Sequence, residues 1–400
     1  TTEIYTLSLH DALPISQRGT EVAVTLTGRN LQGSHSLLFT SAKLTARIVS
    51  STPFEVKAIV SVKADAEPGR HDVRLLAGHG SGLAYFDVGT LPERMEREPN
   101  NSASQAEALQ MPLLINGVIR SGDYDFFRFE ASAGETLTFD LQATRLGANT
   151  DAVLSLLNEA GEQIAYSDDY YGFKDPRLQV RIEKAGRYTL RVYGSSEAGC
   201  DTCDYRLVAG AMPHVELAMP AGGRSGQSVQ FQLRGVNLAG VKRVTLGDAA
   251  AQGEVVAAQA DVAEVRMNLP RGLSPGVYKL HVEGAGIPVP FVVGGFQEVT
   301  VADGSARSRR DPAPVSLPVV ANGILNKPRA ADHFVFRVDE PKTVVLEAHA
   351  MQLGYLTDPL VALYDETGKR LSYQDDPTTN TGKEPANMDP HLVFTLPKAG

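Results

Sequence analysis

Residues 18–33 read RGTEVAVTLTGRNLQG, and residues 225–240 read SGQSVQFQLRGVNLAG, the same pattern 207 positions later. Each stretch alternates apolar and polar residues and then turns at Gly-x-Asn-Leu. Successive side chains of a β-strand point to opposite faces, so the alternation predicts a strand with one buried and one solvated face. The stretch therefore predicts an all-β fold in which each copy opens with a strand and a tight turn.

The repeat extends far beyond this stretch. At the same offset Pro68-Gly69 recurs as Pro275-Gly276, and at an offset of 214 Lys184-Ala185-Gly186 recurs as Lys398-Ala399-Gly400. A unit of about 207 residues is too long for a solenoid repeat, so we interpret it as a duplicated two-domain module. Turn residues separate the alternating runs about every ten residues, which is typical of antiparallel sandwiches. The predicted fold is all-β, with four consecutive antiparallel β-sandwich domains.

The two ends of the chain differ from the rest. Residues 1–16, TTEIYTLSLHDALPIS, share no pattern with either module and resemble a translated sequencing adapter, so we leave them out of the predicted fold. The second copy stops at Gly400, where the first copy continues into a strand, so we expect a truncated last domain and a fragment of a larger protein. The predicted domains are 17–92, 95–210, 213–293 and 296–400.

Composition limits the classes of function. The 400 residues carry a net charge of −9, which does not suit nucleic-acid binding because that needs a basic face. No apolar run reaches the 18 residues or so of a membrane span. Neither His-Glu-x-x-His nor Gly-x-Ser-x-Gly occurs, so the sequence predicts no catalytic site.

Both halves of the module resemble known families. The first half, at 17–92 and 213–293, resembles the immunoglobulin-like TIG/IPT family in its order of strands, Gly-x-Asn-Leu turn and Pro-Gly. The second half resembles the bacterial pre-peptidase C-terminal (PPC) family. The matching residues of the first copy are Glu98-Pro99-Asn100-Asn101, Asn116-Gly117, Gly122-Asp123-Tyr124-Asp125-Phe126-Phe127, Ala133-Gly134, Leu146-Gly147, Asp151, Asp168-Asp169 and Ala185-Gly186-Arg187-Tyr188. The resemblance implies immunoglobulin-like and jelly-roll-like sandwiches on a secreted or envelope protein, often attached to a peptidase.

The stretch MEREPNNS at residues 95–102 is either a hydrated acidic linker or part of a cation site. Residues i, i+2 and i+4 of an extended chain face the same way, so this stretch projects several oxygen atoms to one side. Calcium takes six to eight oxygen ligands. In the collagen-binding domain of clostridial collagenases, which this domain resembles, an acidic linker and a later aspartate pair bind calcium. The resemblance implies one calcium site in the first PPC domain, formed by Glu96, Glu98, Asn100, Asn101, Asp123 and Asp125.

The second module is expected to lack this site. Residues 296–303, FQEVTVAD, replace the acidic stretch, and Ala330 or Ala331 replaces Asp123. Both parts of the cation site therefore change together, as expected of ligands that act as a unit.

A second acidic set is present in both modules, which indicates a structural role in turns and loop ends, with a second cation site as the alternative. The aromatic residues beside it either contact a peptide or sugar or cover the end of the sandwich. The pair C-x-x-C has too few partners for zinc and forms either a small disulfide or two thiols, depending on the compartment. The acidic residues are Asp151, Asp168, Asp169 and Asp175. The aromatic residues are Tyr170, Tyr171 and Phe173, and the cysteine pair is Cys200 and Cys203.

Together these features predict a non-catalytic binding or presentation module of a larger secreted bacterial protein, in the extracellular space or cell envelope. Its expected partner is an extracellular polymer or protein, with no nucleic acid and no membrane span. The alternative is an accessory region of a secreted peptidase or other enzyme whose catalytic domain lies outside this chain.

Overall fold

The computed structural model describes residues 7–8, 15–77, 80–146, 148, 150–170, 174–201, 203–247, 250–301, 308–355, 357–376 and 388–400. Its regular elements in this part of the chain are β-strands and four 3-10 turns. The all-β prediction is therefore confirmed. The chain forms two compact units, Thr1–His214 with Gly284–Ile287 and Val215–Glu283 with Pro288–Gly400. None of the described helices is long and apolar enough to cross a bilayer.

The first sandwich consists of two four-stranded sheets. Its strands are β1 (Leu7–Ser8), β2 (Ile15–Gln17), β3 (Glu21–Gly28), β4 (Ser36–Phe39), β5 (Leu44–Ser51), β6 (Glu55–Val62), β7 (Gly69–Ala77) and β8 (Gly80–Gly89). The sheet orders are β1-β3-β6-β5 and β2-β8-β7-β4. Val24 and Leu26 of the opening stretch are buried against Val56 and Phe86 in the core, as the alternation predicts.

Four of the residues left out of the predicted fold, 7–8 and 15–16, lie in two of these strands. β1 pairs antiparallel with β3, and β2 pairs parallel with β8. The structure thus includes residues 7–8 and 15–16 in the first sandwich, whereas the predicted fold begins at residue 17. A β-ladder is made by backbone N–H and C=O groups, so a short edge strand can pair without an apolar side-chain pattern.

The second sandwich contains ten strands and two 3-10 turns, Thr144–Leu146 and Ser195–Glu197. The strands are β9 (Glu93–Met95), β10 (Glu107–Ala108), β11 (Leu113–Val118), β12 (Tyr124–Ala131), β13 (Thr136–Gln142), β14 (Ala152–Leu157), β15 (Gln163–Ser167), β16 (Arg177–Arg181), β17 (Gly186–Gly194) and β18 (Asp204–Gly210). The sheets are β10-β12-β17-β14-β15 and β16-β13-β18-β11-β9, so β17 and β18 occupy the centres. Phe127, Phe139, Leu190 and Leu207 are among the fully buried side chains between the sheets.

The third domain has the strand order of the first, but its strands form one continuous sheet. The strands are β19 (His214–Met219), β20 (Gly222–Arg224), β21 (Ser228–Val236), β22 (Arg243–Leu246), β23 (Ala251–Ala258), β24 (Val262–Asn268), β25 (Gly276–Val282) and β26 (Val289–Gly294), with a 3-10 turn at Leu238–Gly240. Their order is β19-β21-β24-β23-β22-β25-β26-β20. The strands equivalent to the two sheets of the first sandwich join here because β22 pairs with both β23 and β25. The corresponding strand of the first sandwich, β4, forms its described ladder with β7.

The fourth domain consists, in its described residues, of four two-stranded ladders. Its strands are β27 (Gln297–Thr300), β28 (Ala313–Pro314), β29 (Val319–Asn322), β30 (Phe334–Val335), β31 (Lys342–Glu347), β32 (Val361–Tyr364), β33 (Arg370–Gln374) and β34 (His391–Leu396), with a 3-10 turn at Met351–Leu353. The ladders are β27-β29, β28-β30, β31-β34 and β32-β33. Val344, Leu363 and Leu392 form a small core.

Candidate metal centre

Glu96 is the first acidic residue of the predicted cation site, and it directly follows β9. Its N–H donates to the carbonyl oxygen of Asn116 at 2.8 Å, which prolongs the pairing of β9 with β11. Its Oε1 accepts a hydrogen bond from Val118 N–H at 2.9 Å, and its Oε2 accepts one from the Tyr205 hydroxyl at 2.7 Å. Backbone and side chain together therefore hold the Glu96 carboxylate in place.

Glu98 and Asp125 bring two further carboxylates to Glu96. Glu98 Oε2 accepts a hydrogen bond from Asn100 N–H at 2.9 Å. The Asn100 carbonyl oxygen accepts one from Phe126 N–H at 3.0 Å, so the acidic segment is tied to β12, which carries Asp125. One carboxylate oxygen from each of Glu96, Glu98 and Asp125 lies within 4.8 Å of the others. The structure thus joins a residue beside β9 in one sheet to a residue of β12 in the other.

The remaining predicted ligands are placed differently. Asn100 is completely buried between these segments, while Asn101 is exposed. Asp123 accepts hydrogen bonds from Arg120 N–H at 3.4 Å and Tyr124 N–H at 3.1 Å, and it is not one of the three converging carboxylates. Asp125 lies on β12, which begins at Tyr124, whereas Asp123 belongs to the preceding turn.

Burial and like charge dominate the electrostatics of this group. Burial, together with the charges of Glu96 and Asp123, raises the pKa of Asp125 to about 9. Burial also raises the pKa of Glu96, although the hydrogen bonds from Tyr205 and Val118 oppose that shift. The cluster therefore retains a proton at neutral pH when no cation is bound, and a cation could replace that proton.

Tyr205 and Gly117 complete the cluster, and neither was predicted from the sequence as a site residue. Tyr205 lies on β18, is fully buried, and has its pKa raised well above the usual value by burial and by the Asp125 and Glu96 charges. A Cβ atom at position 117 would lie 2.5 Å from Glu96 Oε2 and would also collide with the Tyr205 ring. Only glycine lets these side chains meet over β11. A glycine inside a strand signals such a close approach, but it does not identify the approaching residues.

The corresponding position of the fourth domain is apolar. Val301 N–H donates to the Asn322 carbonyl oxygen at 2.8 Å, the same contact that Glu96 makes with Asn116. Val301 is 8% exposed and carries no side-chain oxygen. Asp332 is the counterpart of Asp125 and lies close to Gly323. A Cβ atom added to Gly323 would be 2.6 Å from Asp332 Oδ2. One of the three carboxylates is thus replaced by a buried valine.

The second acidic set separates into a cluster and a lone residue. Asp151, Asp168 and Asp169 place one oxygen each within 4.8 Å, and so do Asp358, Asp375 and Asp376 of the second module. Burial, followed by the charges of Asp168 and Asp169, raises the pKa of Asp151. These contacts bring together three of the four residues of the set.

Asp175, the fourth residue, has a structural role. Its buried carboxylate accepts hydrogen bonds from the N–H groups of Ala143 at 3.0 Å, Thr144 at 2.7 Å and Arg145 at 3.0 Å, which begin a 3-10 turn. In the fourth domain, Asp389 accepts in the same way from Ala350, Met351 and Gln352 at 2.9, 2.9 and 2.8 Å. The two carboxylates hold equivalent turns.

A network of buried charges that was not predicted from the sequence adjoins Asp175. Asp140 is fully buried and forms ion pairs with Arg145 and with Arg177, whose Nη2 lies 2.6 Å from Oδ2. Burial would raise the pKa of Asp140, but the two guanidinium groups lower it overall. Arg177 Nη1 lies 3.4 Å from His214 Nε2. Burial, with a smaller contribution from Arg177, lowers the pKa of His214 to about 4.

The remaining predicted site residues are the three contact aromatics and the cysteine pair. Tyr170 is half-buried, and the Arg177 guanidinium covers its ring at 4.4 Å from the centroid. Tyr171 and Phe173 lie outside the described residues. Cys200 and Cys203 form a disulfide.

Comparison with known proteins identifies part of the second sandwich. Residues 123–194 match the family model of the bacterial pre-peptidase C-terminal domain. One PPC domain lies in this chain. The matched range includes Asp125 and the Asp151 cluster, whereas Glu96 and Glu98 precede it. The PPC domain is a non-catalytic domain of the kind found in secreted bacterial proteins.

Three similar proteins carry a related region. A probable subtilase-type serine protease of Deinococcus radiodurans is 31% identical over 99 residues, which are 24% of this chain and 14% of that protein. The chain thus spans a small part of this relative. The PPC domain of a Bacillus anthracis collagenase is 18% identical over 26% of this chain and 94% of that chain, with a TM-score of 0.22. The secreted serine protease VesC of Vibrio cholerae is 12% identical over 52% of this chain and 50% of that chain, with a TM-score of 0.20.

Proposed function

We propose that this chain is a non-catalytic binding or presentation region of a larger secreted bacterial protein, and that calcium stabilises its PPC domain. The observation that carries the proposal is the convergence of Glu96, Glu98 and Asp125 from two separate segments. The presence of a PPC domain supports an extracellular or envelope location. The proposed partner is an extracellular polymer or protein.

The chemistry of the donor set fits calcium. Glu96, Glu98 and Asp125 offer only hard oxygen atoms, and a carboxylate binds calcium through one or both oxygens. Asn100, Asn101 and Asp123 remain the proposed source of further oxygens, with water. The close packing of Gly117 under Glu96 and Tyr205 indicates that the carboxylates are held in position by the fold.

The proposed role of the ion is to join the two sheets. Glu96 extends the β9 edge of one sheet, and Asp125 lies on β12 of the other. Without a cation these carboxyl groups repel each other unless one is protonated, as the raised pKa of Asp125 indicates. Bound calcium removes this repulsion, and at free calcium about 100-fold above Kd it adds roughly 2.7 kcal/mol of stability.

The test is calorimetric titration of calcium into the chain and into two single variants. Glu98→Gln removes one carboxylate from an exposed side chain, and we expect it to weaken binding about tenfold or more because affinity follows ligand charge. The control is Glu130→Gln, an exposed change on the same strand as Asp125, which should leave calcium binding unchanged. Absence of any binding heat in the unaltered chain would refute calcium stabilisation, and equal affinities of both variants would place the ion elsewhere.

A second candidate function is an accessory region of a secreted peptidase or other enzyme. The similarity to a subtilase-type protease favours it, since that whole protein is about seven times the matched length. Recovery of the intact reading frame decides between the candidates. A catalytic domain in that frame would support the accessory role, and a frame made only of β-domains would exclude it. Glycan and matrix-protein arrays probed with this chain test the binding role separately.

A further inference from the structure

The disulfide of the PPC domain lies in the loop that joins β17 to β18. Cys203 directly precedes Asp204, the first residue of β18, and Tyr205 follows Asp204. Cys203 is 1% exposed, whereas Cys200 is half-buried. The disulfide therefore lies at the start of the strand whose tyrosine hydroxyl donates to the Glu96 carboxylate.

The two half-cystines hold Ile119 from both sides. Cys200 N–H donates to the Ile119 carbonyl oxygen at 3.0 Å, and Ile119 N–H donates to the Cys203 carbonyl oxygen at 3.0 Å. These bonds continue the pairing of β11 with β18 one residue beyond Val118. Val118 N–H is the second donor to the Glu96 carboxylate. The disulfide thus fixes the backbone next to that donor.

The same loop also holds the turn that leads into β12. The Glu197 carbonyl oxygen accepts a hydrogen bond from Gly122 N–H at 3.0 Å, and the Glu197 carboxylate accepts one from the Tyr124 hydroxyl at 2.8 Å. Tyr124 directly precedes Asp125, another carboxylate of the candidate metal centre. One loop therefore contacts both segments that position the converging carboxylates.

The loop backbone packs closely against the end of β11. A Cβ atom on Gly199 would lie 2.5 Å from the Ile119 carbonyl oxygen and 2.4 Å from the Arg120 carbonyl oxygen. Such close packing transmits a displacement to the neighbouring chain, because there is no free space to absorb it. A movement of the loop when the disulfide opens would therefore shift Ile119 and the donor beside it.

We infer that the Cys200–Cys203 disulfide is a redox switch for the calcium site. The closed disulfide holds Glu96 and Asp125 in the arrangement that binds the ion, and opening it lowers the affinity for calcium. This inference rests on the proposed calcium binding. Disulfides persist in oxidising compartments and are rare in the reducing cytosol. The switch would thus delay calcium loading until the chain has been exported and oxidised.

The reductant that opens the switch is a dithiol. Its thiolate attacks the sulfur of Cys200, the more exposed of the two, and forms a mixed disulfide with it. The bond between Cys200 and Cys203 breaks, and the Cys203 thiolate leaves and takes up a proton. The second thiol of the reductant then displaces Cys200 in the same way. Two electrons and two protons pass to the chain, and the dithiol becomes a disulfide.

The test is calorimetric titration of calcium into the oxidised chain, the chain reduced with dithiothreitol, and the double variant Cys200→Ser/Cys203→Ala. We expect the reduced chain and the variant to bind calcium about tenfold more weakly, because groups that orient metal ligands contribute about this much to affinity. The control is the variant with and without dithiothreitol. Its affinity should not change, which excludes a direct effect of the reductant on calcium.

Two further measurements separate the switch from a merely structural disulfide. With a calcium chelator present, hydrogen exchange at residues 117–120 and 203–205 should be about tenfold faster in the reduced chain, while residues 137–141 and 55–62 keep their rates. Linkage is reciprocal, so calcium must favour the closed disulfide by the same factor. A tenfold effect would lower the reduction potential of the disulfide by about 30 mV in a dithiol buffer.

The results distinguish this inference from the proposed function. Equal calcium affinities of the oxidised and reduced chains would overturn the switch and leave calcium binding intact. Absence of calcium binding in the oxidised chain would overturn both. Faster exchange after reduction at residues 137–141 as well would show that the disulfide stabilises the whole domain, and would overturn the switch alone.

Discussion

The Tyr205 hydroxyl donates a hydrogen bond to Glu96 Oε2 at 2.7 Å, although the two residues are 109 positions apart. Tyr205 lies on the central strand β18, and Glu96 lies just beyond the edge strand β9 of the same sheet. The bond crosses over β11 at Gly117, where a side chain would block it. This hydrogen bond holds the Glu96 carboxylate of the candidate metal centre in place, and the same carboxylate accepts a second hydrogen bond from Val118 N–H.

Tyr205→Phe should destabilise the chain by about 1–3 kcal/mol, because Glu96 then keeps a buried oxygen without its donor. Urea unfolding in the presence of a calcium chelator measures the change. Tyr188→Phe is the control, since it removes a hydroxyl bonded to the Lys184 carbonyl oxygen in the same sandwich. If Tyr205→Phe cost no more than about 0.5 kcal/mol, the bond would have no stabilising role.

Gly117→Ala should destabilise the chain by about 1–3 kcal/mol, because the added methyl group overpacks the space shared by Glu96 and Tyr205. It should also weaken calcium binding by displacing the Glu96 carboxylate. Gly186→Ala provides the comparison, since a Cβ at that strand position meets nothing within 4 Å. Similar unfolding midpoints for the two variants would contradict the crowding at position 117.

Asp175→Asn should destabilise the PPC domain by about 3 kcal/mol or more, because it removes a buried charge that pairs with Arg145. Asp169→Asn, a change at an exposed residue, should have little effect. Thermal unfolding followed by tyrosine fluorescence reports the difference. We expect Asp389→Asn to loosen the corresponding turn of the fourth domain, measured by hydrogen exchange at residues 350–352.

The stability of the first unit should fall as pH drops from about 6.5 to about 4. The folded-state pKa of His214 is about 4, below the value of about 6.5 expected in the unfolded chain. The unfolded state therefore binds the extra proton in this window, and stability rises with pH across it. The contribution is at most about 3 kcal/mol. His214→Gln should reduce this slope in urea titrations at pH 4, 5, 6 and 7, and an unchanged slope would show that His214 does not cause it.

The local features of the fold could be predicted from the sequence. The alternation of Val24 and Leu26 predicted a half-buried strand, and both side chains are buried. The grouping of Glu96 with Glu98 also follows from their spacing, since neighbours two apart on an extended chain share a face. Asp123 and Asp125 are both predicted ligands through the family resemblance, and the sequence alone does not show that β12 begins between them, at Tyr124.

Contacts that depend on strand pairing could not be predicted in the same way. Tyr205 meets Glu96 only because β18 and β9 flank β11, and no local pattern specifies that order. Asp175 was grouped with Asp151 because both recur in the second module, and the structure shows that Asp175 instead faces Arg145 and the turn that begins at Thr144. The backbone pairing of residues 7–8 was missed because it does not require a side-chain signal.

The chain passes from β8, which ends at Gly89, to β9, which begins at Glu93, through three residues. β9 is held to β11 by backbone bonds that run from Pro92 to Glu96, and the Glu96 carboxylate lies at the end of that row. Tension applied along the polypeptide from its first domain would reach the PPC sheet through Leu91, which packs with Leu114 and Val208, and then through this short edge strand. Residues 91–96 would therefore carry the mechanical load between the two domains, and the Glu96 carboxylate lies at the end of that path.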